Sequence, residues 1–262
     1  MRQETVKNPA KKILILTAMD IEHDAIRRAV RLRPAGSKKI GGVRVIEGTV
    51  AGNDVVLAKT GMGKKRIGAL MDTLLDAYDV PLIIFAGVAG AVNESLKVGD
   101  VVVPASVRSL ADGKRYEVAR AAMRGIRTGS VPVKAGGTQY TVERVFGADD
   151  KARLFDEDPA AVAVDMESSC VCERAARRSI PCLIIRGISD TRDFRLPKIF
   201  FITRKNLRNV IKHFPAHPLD IVRFISLWRN CAIAAKNTAL VVTLVLQDPD
   251  PVVHNGTAGE VH

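Results

Sequence analysis

Three short, unbroken apolar runs constrain this chain more than any other feature: KILILTA at 12–18, PLIIFA at 81–86 and PCLIIR at 181–186. Each is too short for a typical helix and lacks polar alternation, so each reads as a strand covered on both faces. Helical patterns lie between them. After the first run, Ile21, Ala25, Ile26 and Ala29 recur at helical spacing, with Asp20 placed to cap. After Thr60, Ile67, Leu70, Met71, Leu74, Leu75 and Tyr78 share one helical face. Segments 43–50 and 54–59 flank Gly52-Asn53 and read as a hairpin. Further strands are expected within 98–107 and 160–164, and a helix from about 168 to 178. Alternating strands and helices from 12 to 190 predict an α/β fold, and the hairpin makes its central sheet mixed.

The rest of the sequence limits the possibilities. Hydrophobic residues make up 47% and charged residues 26% of 262, a composition that suits one large globular domain with an appendage. Four cysteines are too few for a disulfide scaffold. No continuous apolar run approaches the roughly 20 residues of a membrane span. The N-terminal MRQETVKNPAKK lacks an apolar signal core, so the expected location is the cytoplasm. Forty Lys and Arg against 28 Asp and Glu give a net charge of +12, which suits anionic partners.

Beyond Pro197 the character changes. Asp220 is the only acid in 198–247, and Phe200, Phe201, Ile211, Phe214, Ile221, Phe224, Ile225, Leu227 and Trp228 interleave with lysines and arginines. The segment predicts two or three helices split near Pro215 and Pro218, able to touch an anionic membrane peripherally. The expected division is a domain at 10–195, a basic helical extension at 196–247 and a flexible tail at 248–262.

Four stretches carry polar or glycine residues just past expected strands, where open α/β sheets bind ligands. They are 18–22, 87–90, 164–167 and 188–190, and three of them bring carboxylates. Acids gathered in one cleft suit proton transfer on a sugar whose cationic centre needs nearby negative charge. The runs GMGKKRIGALMDTLL, FAGVAGAVNESLKVGDVVVPASV and AVDMESSCVCERAARRSIPCLIIRGISD resemble the purine nucleoside phosphorylase and nucleosidase superfamily. The nearest pattern is its 5′-methylthioadenosine/S-adenosylhomocysteine nucleosidase branch.

That resemblance, over about 12–193, implies a three-layer α/β/α sandwich around a mixed sheet. It also implies cleavage of the N-glycosidic bond of a 5′-substituted adenosine, with adenine released. Glu22 then resembles the carboxylate that activates water at the ribose C1′, and Asp190 the acid that protonates N7 of the leaving purine. Glu167 resembles the acid that binds the 2′- and 3′-hydroxyls. Met166 resembles the thioether packed on the nucleoside, and Ser189 the residue that holds the aspartate. Val88 belongs to the substrate loop, and Tyr140 is the candidate aromatic on the adenine side. Gly61, Gly63 and Gly87 are the candidate loop and anion positions. The resemblance implies no cofactor, and a homo-oligomer, often a dimer.

Two departures bear on the reaction. Val88 stands where the nucleosidases usually carry serine, and Phe85 stands where bacterial phosphorylases carry a phosphate-gripping arginine. With no arginine near Phe85 in the sequence, water is favoured as nucleophile, while phosphate held by the Gly61–Gly63 turn and Lys64 or Lys65 stays open. The long basic segment after Asp193 resembles the hopanoid-associated phosphorylase group, which acts on a lipid-linked adenosine. Two other classes remain: a non-catalytic nucleoside-binding protein, and a nucleic-acid binder, for which no motif is present. Cys170, Cys172, Cys182 and Cys231 read as reduced thiols. Metal-ligand spacing is absent, and His213 and His217 are separated by Pro215. His23 beside Glu22 reads as a surface residue.

Overall fold

A computed structural model describes residues 11–61, 63–121, 131–197 and 218–248, together with the short strand pieces 252–253 and 260–261. Strands β1 (Ile13–Thr17), β4 (Asn53–Lys59) and β5 (Ile83–Ala91) lie side by side and parallel at the centre of one large sheet. Strand β13 (Cys182–Asp190) runs parallel to β5 on its other side. Strands β2 (Arg33–Ile40) and β3 (Val43–Val50) extend the sheet beyond β4 as antiparallel hairpin partners. Strand β12 (Ala161–Asp165) meets β5 in antiparallel fashion, so the sheet is mixed.

The central strands show why three layers form. In β1, Leu14 and Leu16 join the core with Ile67, Met71 and Leu74 of helix α2 (Lys64–Ala77) and Val171 of helix α4 (Ser168–Arg177). Ile13 and Ile15 point to the opposite face and join Ile26 of helix α1 (Asp20–Ala29) and Val241, Val242 and Val245 of the last helix, α5 (Pro218–Gln247). Alternate residues of one strand thus serve two cores, the geometry of a sheet with helices on both faces.

Several expectations are corrected. The glycine stretch after PLIIFA is not a loop: β5 runs on through Gly87, Val88, Ala89 and Gly90 to Ala91. Strand β13 likewise continues through Gly187, Ile188 and Ser189 to Asp190. The two extensions pair with each other, Arg186 opposite Gly87 and Ile188 opposite Ala89, which gives backbone groups on their facing sides partners. Strand β2, RPAGSKKI, was not foreseen. It is an edge strand whose proline and lysines suit an exposed border and whose register shifts between Pro34 and Gly36. Helix α3 (Ala148–Glu157) was also missed.

The split near Pro218 corresponds to the start of α5, which then runs unbroken for 30 residues. Leu219–Gln247 is long and apolar enough to cross a membrane by length and composition, although no continuous apolar run suggested it. Its second half is core: Ala234, Ala235, Ala239 and Val242 are at most 1% exposed. The last helix closes on the sheet tightly enough that a Cβ at Gly187 would meet Thr238 Oγ1 at 2.6 Å. The aromatic-rich stretch 198–217, with His213 and His217, lies outside the described residues. Of the tail, Val252–Val253 and Glu260–Val261 pair with short strands at Arg120–Ala121 and Arg115–Glu117.

Candidate active site

A cavity of about 210 Å³ opens where the ends of β5, β12 and β13 meet the start of α1 and the middle of α5. Glu22, Val88, Met166, Glu167, Ser189 and Asp190 all line it. Six of the expected site residues, from four elements and 169 positions of sequence, therefore meet in one place.

Glu22 is the third residue of α1 and is 2% exposed. Its Oε2 accepts the backbone N–H groups of Ala18 and Met19 at 2.9 and 2.8 Å, and its Oε1 accepts that of Val88 at 2.9 Å. Burial pushes its carboxyl up from the ordinary value, opposed by the Arg186 guanidinium and those three N–H groups. Gly87 makes this placement possible. A Cβ there would lie 2.5 Å from Arg186 Nη1 and 2.6 Å from Glu22 Oε1. Val88 thus contributes through its backbone as well as its side chain.

Arg186 was not singled out from the sequence, and it corrects the expectation that no arginine lies near Phe85. Its guanidinium stacks 3.9 Å from the centre of the Phe85 ring, one strand away. It is 1% exposed, and Nη2 donates to Asp165 Oδ2 at 2.7 Å and Ser168 Oγ at 2.9 Å. Asp165 also accepts from Thr141 Oγ1 at 3.0 Å and from the Ser168 hydroxyl at 2.5 Å. Arginine in an apolar strand (PCLIIR) and aspartate ending another (AVAVD) were the available signals, since a buried charge requires a partner.

Glu167 occupies the position just before α4, where its side chain makes no capping bond, and lines the same cavity. Burial, the negative charge of Asp165 and that of Glu22 push its carboxyl up to about 7, against the pull of Arg186 and the backbone N–H of Gly63. Gly63 (φ 106°) and Gly61 (φ 73°) adopt the left-handed conformations that glycine allows. Neither lines the cavity, and the N–H of Gly63 serves Glu167. The side chains of Lys64 and Lys65 lie outside the described residues.

Asp190 is 7% exposed. Between Ile188 and Asp190 the register with β5 slips by one, leaving Ser189 as an extra residue. This bulge sets Asp190 opposite Gly90 rather than Ala91 and turns it into the cavity, a use of bulges common beside reactive sites. The Ser189 hydroxyl lies 2.7 Å from Asp190 Oδ1 and 3.2 Å from the Ala89 carbonyl oxygen. The second carboxylate oxygen pairs with Lys151 of α3, a residue that sequence reasoning missed because its helix was missed.

Tyr140 is not part of this cavity. It is 3% exposed in strand β11 (Thr138–Thr141), where its hydroxyl donates to Asp158 Oδ2 at 2.8 Å. Among the described residues, the aromatic side chain that lines the cavity is Phe146, with Arg144 stacked 5.0 Å from its ring centre. His23 faces Thr17, 3.3 Å from its hydroxyl, and burial lowers the histidine below its usual range. Cys170, Cys172 and Cys182 are buried free thiols, whereas Cys231 borders the cavity with its thiol pushed up to about 12, first by burial. Among the described residues no cluster of three metal-ligating side chains occurs.

Comparison with known proteins defines the class. The Phosphorylase superfamily matches residues 12–210, and the chain belongs to that superfamily. It is an enzyme of this superfamily, acting on the N-glycosidic bond of a nucleoside. It is similar to the 5′-methylthioadenosine/S-adenosylhomocysteine nucleosidase of Bacillus cereus (strain G9842), with 28% identity over 199 residues, 68% of this chain and 85% of the relative. The fold is that of the Neisseria meningitidis nucleosidase of the same name, solved with methylthio-immucillin-A. There the TM-score is 0.72 at 22% identity, covering 91% of this chain and 99% of the other. Futalosine hydrolase of Helicobacter pylori shares it too, with a TM-score of 0.70 at 20% identity and coverage of 90% and 97%.

Proposed function

We propose that this enzyme hydrolyses a 5′-substituted adenosine of the methylthioadenosine/S-adenosylhomocysteine class, releasing adenine by water attack at the ribose C1′. The observation that carries this reading is the meeting of Glu22, Glu167 and Asp190 in one cavity with Arg186 beside the first two. Glu22, buried and fixed at both oxygens, takes the proton of the attacking water. Glu167 accepts the ribose 2′- and 3′-hydroxyls and stabilises the cationic sugar as the bond to nitrogen breaks. Asp190, held by Ser189, delivers a proton to N7 of the leaving purine. Met166 packs on the nucleoside, and Phe146 takes the place expected of Tyr140 beside the base.

Water is favoured over phosphate by charge. Around Arg186 stand three carboxylates, Glu22, Asp165 and Glu167, and its Nη2 is already engaged. Asp165, which holds Nη2 of Arg186, would repel a phosphate dianion brought there, and like charges repel strongly where water is excluded. The test is adenine release from 5′-methylthioadenosine, S-adenosylhomocysteine and a long-tailed apolar adenosine analogue, with and without phosphate. Release independent of phosphate is the expected result. Release only with phosphate overturns hydrolysis, and no release from any of them overturns the assignment.

A second reading, a long apolar or lipid-linked 5′ substituent, draws on the last helix. Leu227 and Cys231 of α5 border the cavity, while Leu219, Val222, Ile225 and Trp228 of the same helix are 54–69% exposed. An exposed apolar face on the helix that also borders the cavity suits a peripheral contact with a membrane surface, where an apolar tail would lie. Preference for the long-tailed analogue in the same assay selects this reading.

A further inference from the structure

We propose that Lys151 is a positioning residue that supplies, through Asp190, the proton taken by the leaving purine. The proposal rests on the base-release reading above and deepens it. The chain places an ammonium group in the interior: Lys151 of α3 is 1% exposed, although the helix around it carries Asp149, Asp150, Asp156 and Glu157. An unpaired buried ammonium costs several kcal/mol, so its retention at this position requires a partner. That partner is Asp190, whose Oδ2 forms the ion pair with Nζ, and Nζ also donates to the Thr191 carbonyl oxygen at 3.1 Å. Strand β5 makes room for the pair at Gly90. A Cβ there would lie 2.8 Å from Asp190 Oδ2 and 3.0 Å from Lys151 Nζ.

The arrangement gives the proton a route. Nζ reaches both the Thr191 carbonyl oxygen, which can only accept, and Asp190 Oδ2, so the lysine is placed to hand a proton to the carboxylate. The other carboxylate oxygen is within 2.7 Å of the Ser189 hydroxyl. As the C1′–N9 bond breaks, its electron pair moves onto the purine, and the Asp190 carboxylate passes the ammonium proton to N7. The water oxygen bonds to C1′ and its proton goes to Glu22. Lys151 is left as the neutral amine and Asp190 as the carboxylate. Solvent returns a proton to Lys151 after the products leave, and Glu22 releases one, so the cycle closes without another reactant.

The experiment measures kcat and KM for 5′-methylthioadenosine with the wild type, Lys151→Met, Asp190→Asn and the double variant. Lys151→Met is expected to lose ~10²–10³-fold in kcat, within the usual range for one proton-transfer partner, with KM changed by less than ~3-fold. Because the lysine acts through the aspartate, the double variant should be no slower than Asp190→Asn alone. A second arm uses Lys151→Ala with added methylammonium or tetramethylammonium, which carry the same charge but differ in having a proton to give. Methylammonium alone should restore at least ~10-fold of the lost rate. Wild-type kcat in Lys151→Met, losses that multiply in the double variant, or equal effects of the two cations would each overturn the proposal. A wild-type protein that releases no base overturns the base-release reading itself, a different result from an active enzyme indifferent to Lys151.

Discussion

Glu22 and Asp190 are both buried carboxylates in one cavity, yet they are held by different parts of the molecule. Glu22 is fixed by three backbone N–H groups, two from its own helix start and one from Val88 on β5. Asp190 is fixed by side chains, Lys151 from α3 and Ser189 from its own strand. Each carboxylate requires a glycine on β5, Gly87 in one case and Gly90 in the other. The difference teaches that one end of the site follows from main-chain geometry, while the other depends on a separate helix arriving with the right side chain.

The comparison can be broken most directly at the carboxylates. Glu22→Gln and Asp190→Asn should each lower kcat by ~10²–10⁴-fold, the usual contribution of one proton-transfer step. Steady-state adenine release checks both, and a rate near wild type in either removes that residue from the mechanism. Next in size is Gly87→Ala. Its methyl group would collide with both Arg186 and Glu22, and displacement of a reacting group by about 1 Å costs ~10²-fold in rate. Unchanged circular dichroism alongside the loss would separate misplacement from unfolding.

Stability offers a smaller but cleaner contrast. The Glu167 carboxyl rises from its ordinary 4.5 to about 7 in the folded protein. As pH climbs through that window the unfolded chain loses this proton first, so the folded state binds more protons and stability falls. The penalty is complete above about 7 and absent below 4.5. Glu167→Gln should therefore stabilise the protein by about 1–3 kcal/mol at pH 8 and by nothing near pH 4, read from urea unfolding at both values. The smallest effect sharpens the aromatic assignment. Tyr140→Phe should cost about 1 kcal/mol through the lost bond to Asp158 and leave KM unchanged. Phe146→Ala should raise KM instead. The opposite pattern returns Tyr140 to the base.

How much of this was legible depended on what each residue's role required. Glu22, Glu167, Asp190, Met166 and Ser189 stood beside recognisable strands, in stretches that resemble a known family, and they do share one cavity. Arg186 and Asp165 were visible as charges inside apolar runs, but a sequence does not say which charge faces which. Lys151 gave no signal, because an isolated lysine on an acidic helix reads as solvated. Tyr140 misled for the converse reason. Its strand was not foreseen, so the side of the sheet it would face was not defined.

By itself the sequence determined the alternation of buried strands and amphipathic helices, since hydrophobic period and length are local properties. It also determined the chemical types available to the site. Tertiary structure alone decided that β5 and β13 continue past their glycines, because there they pair with each other and, on their outer sides, with β12 and with Val101–Val103. It decided that a bulge at Ser189 turns Asp190 into the cavity, and that the second half of α5 closes the core while its first half stays exposed. Above all it decided that a lysine 39 positions away meets Asp190. A buried charge finds its partner through folding, and no spacing in the chain records that choice.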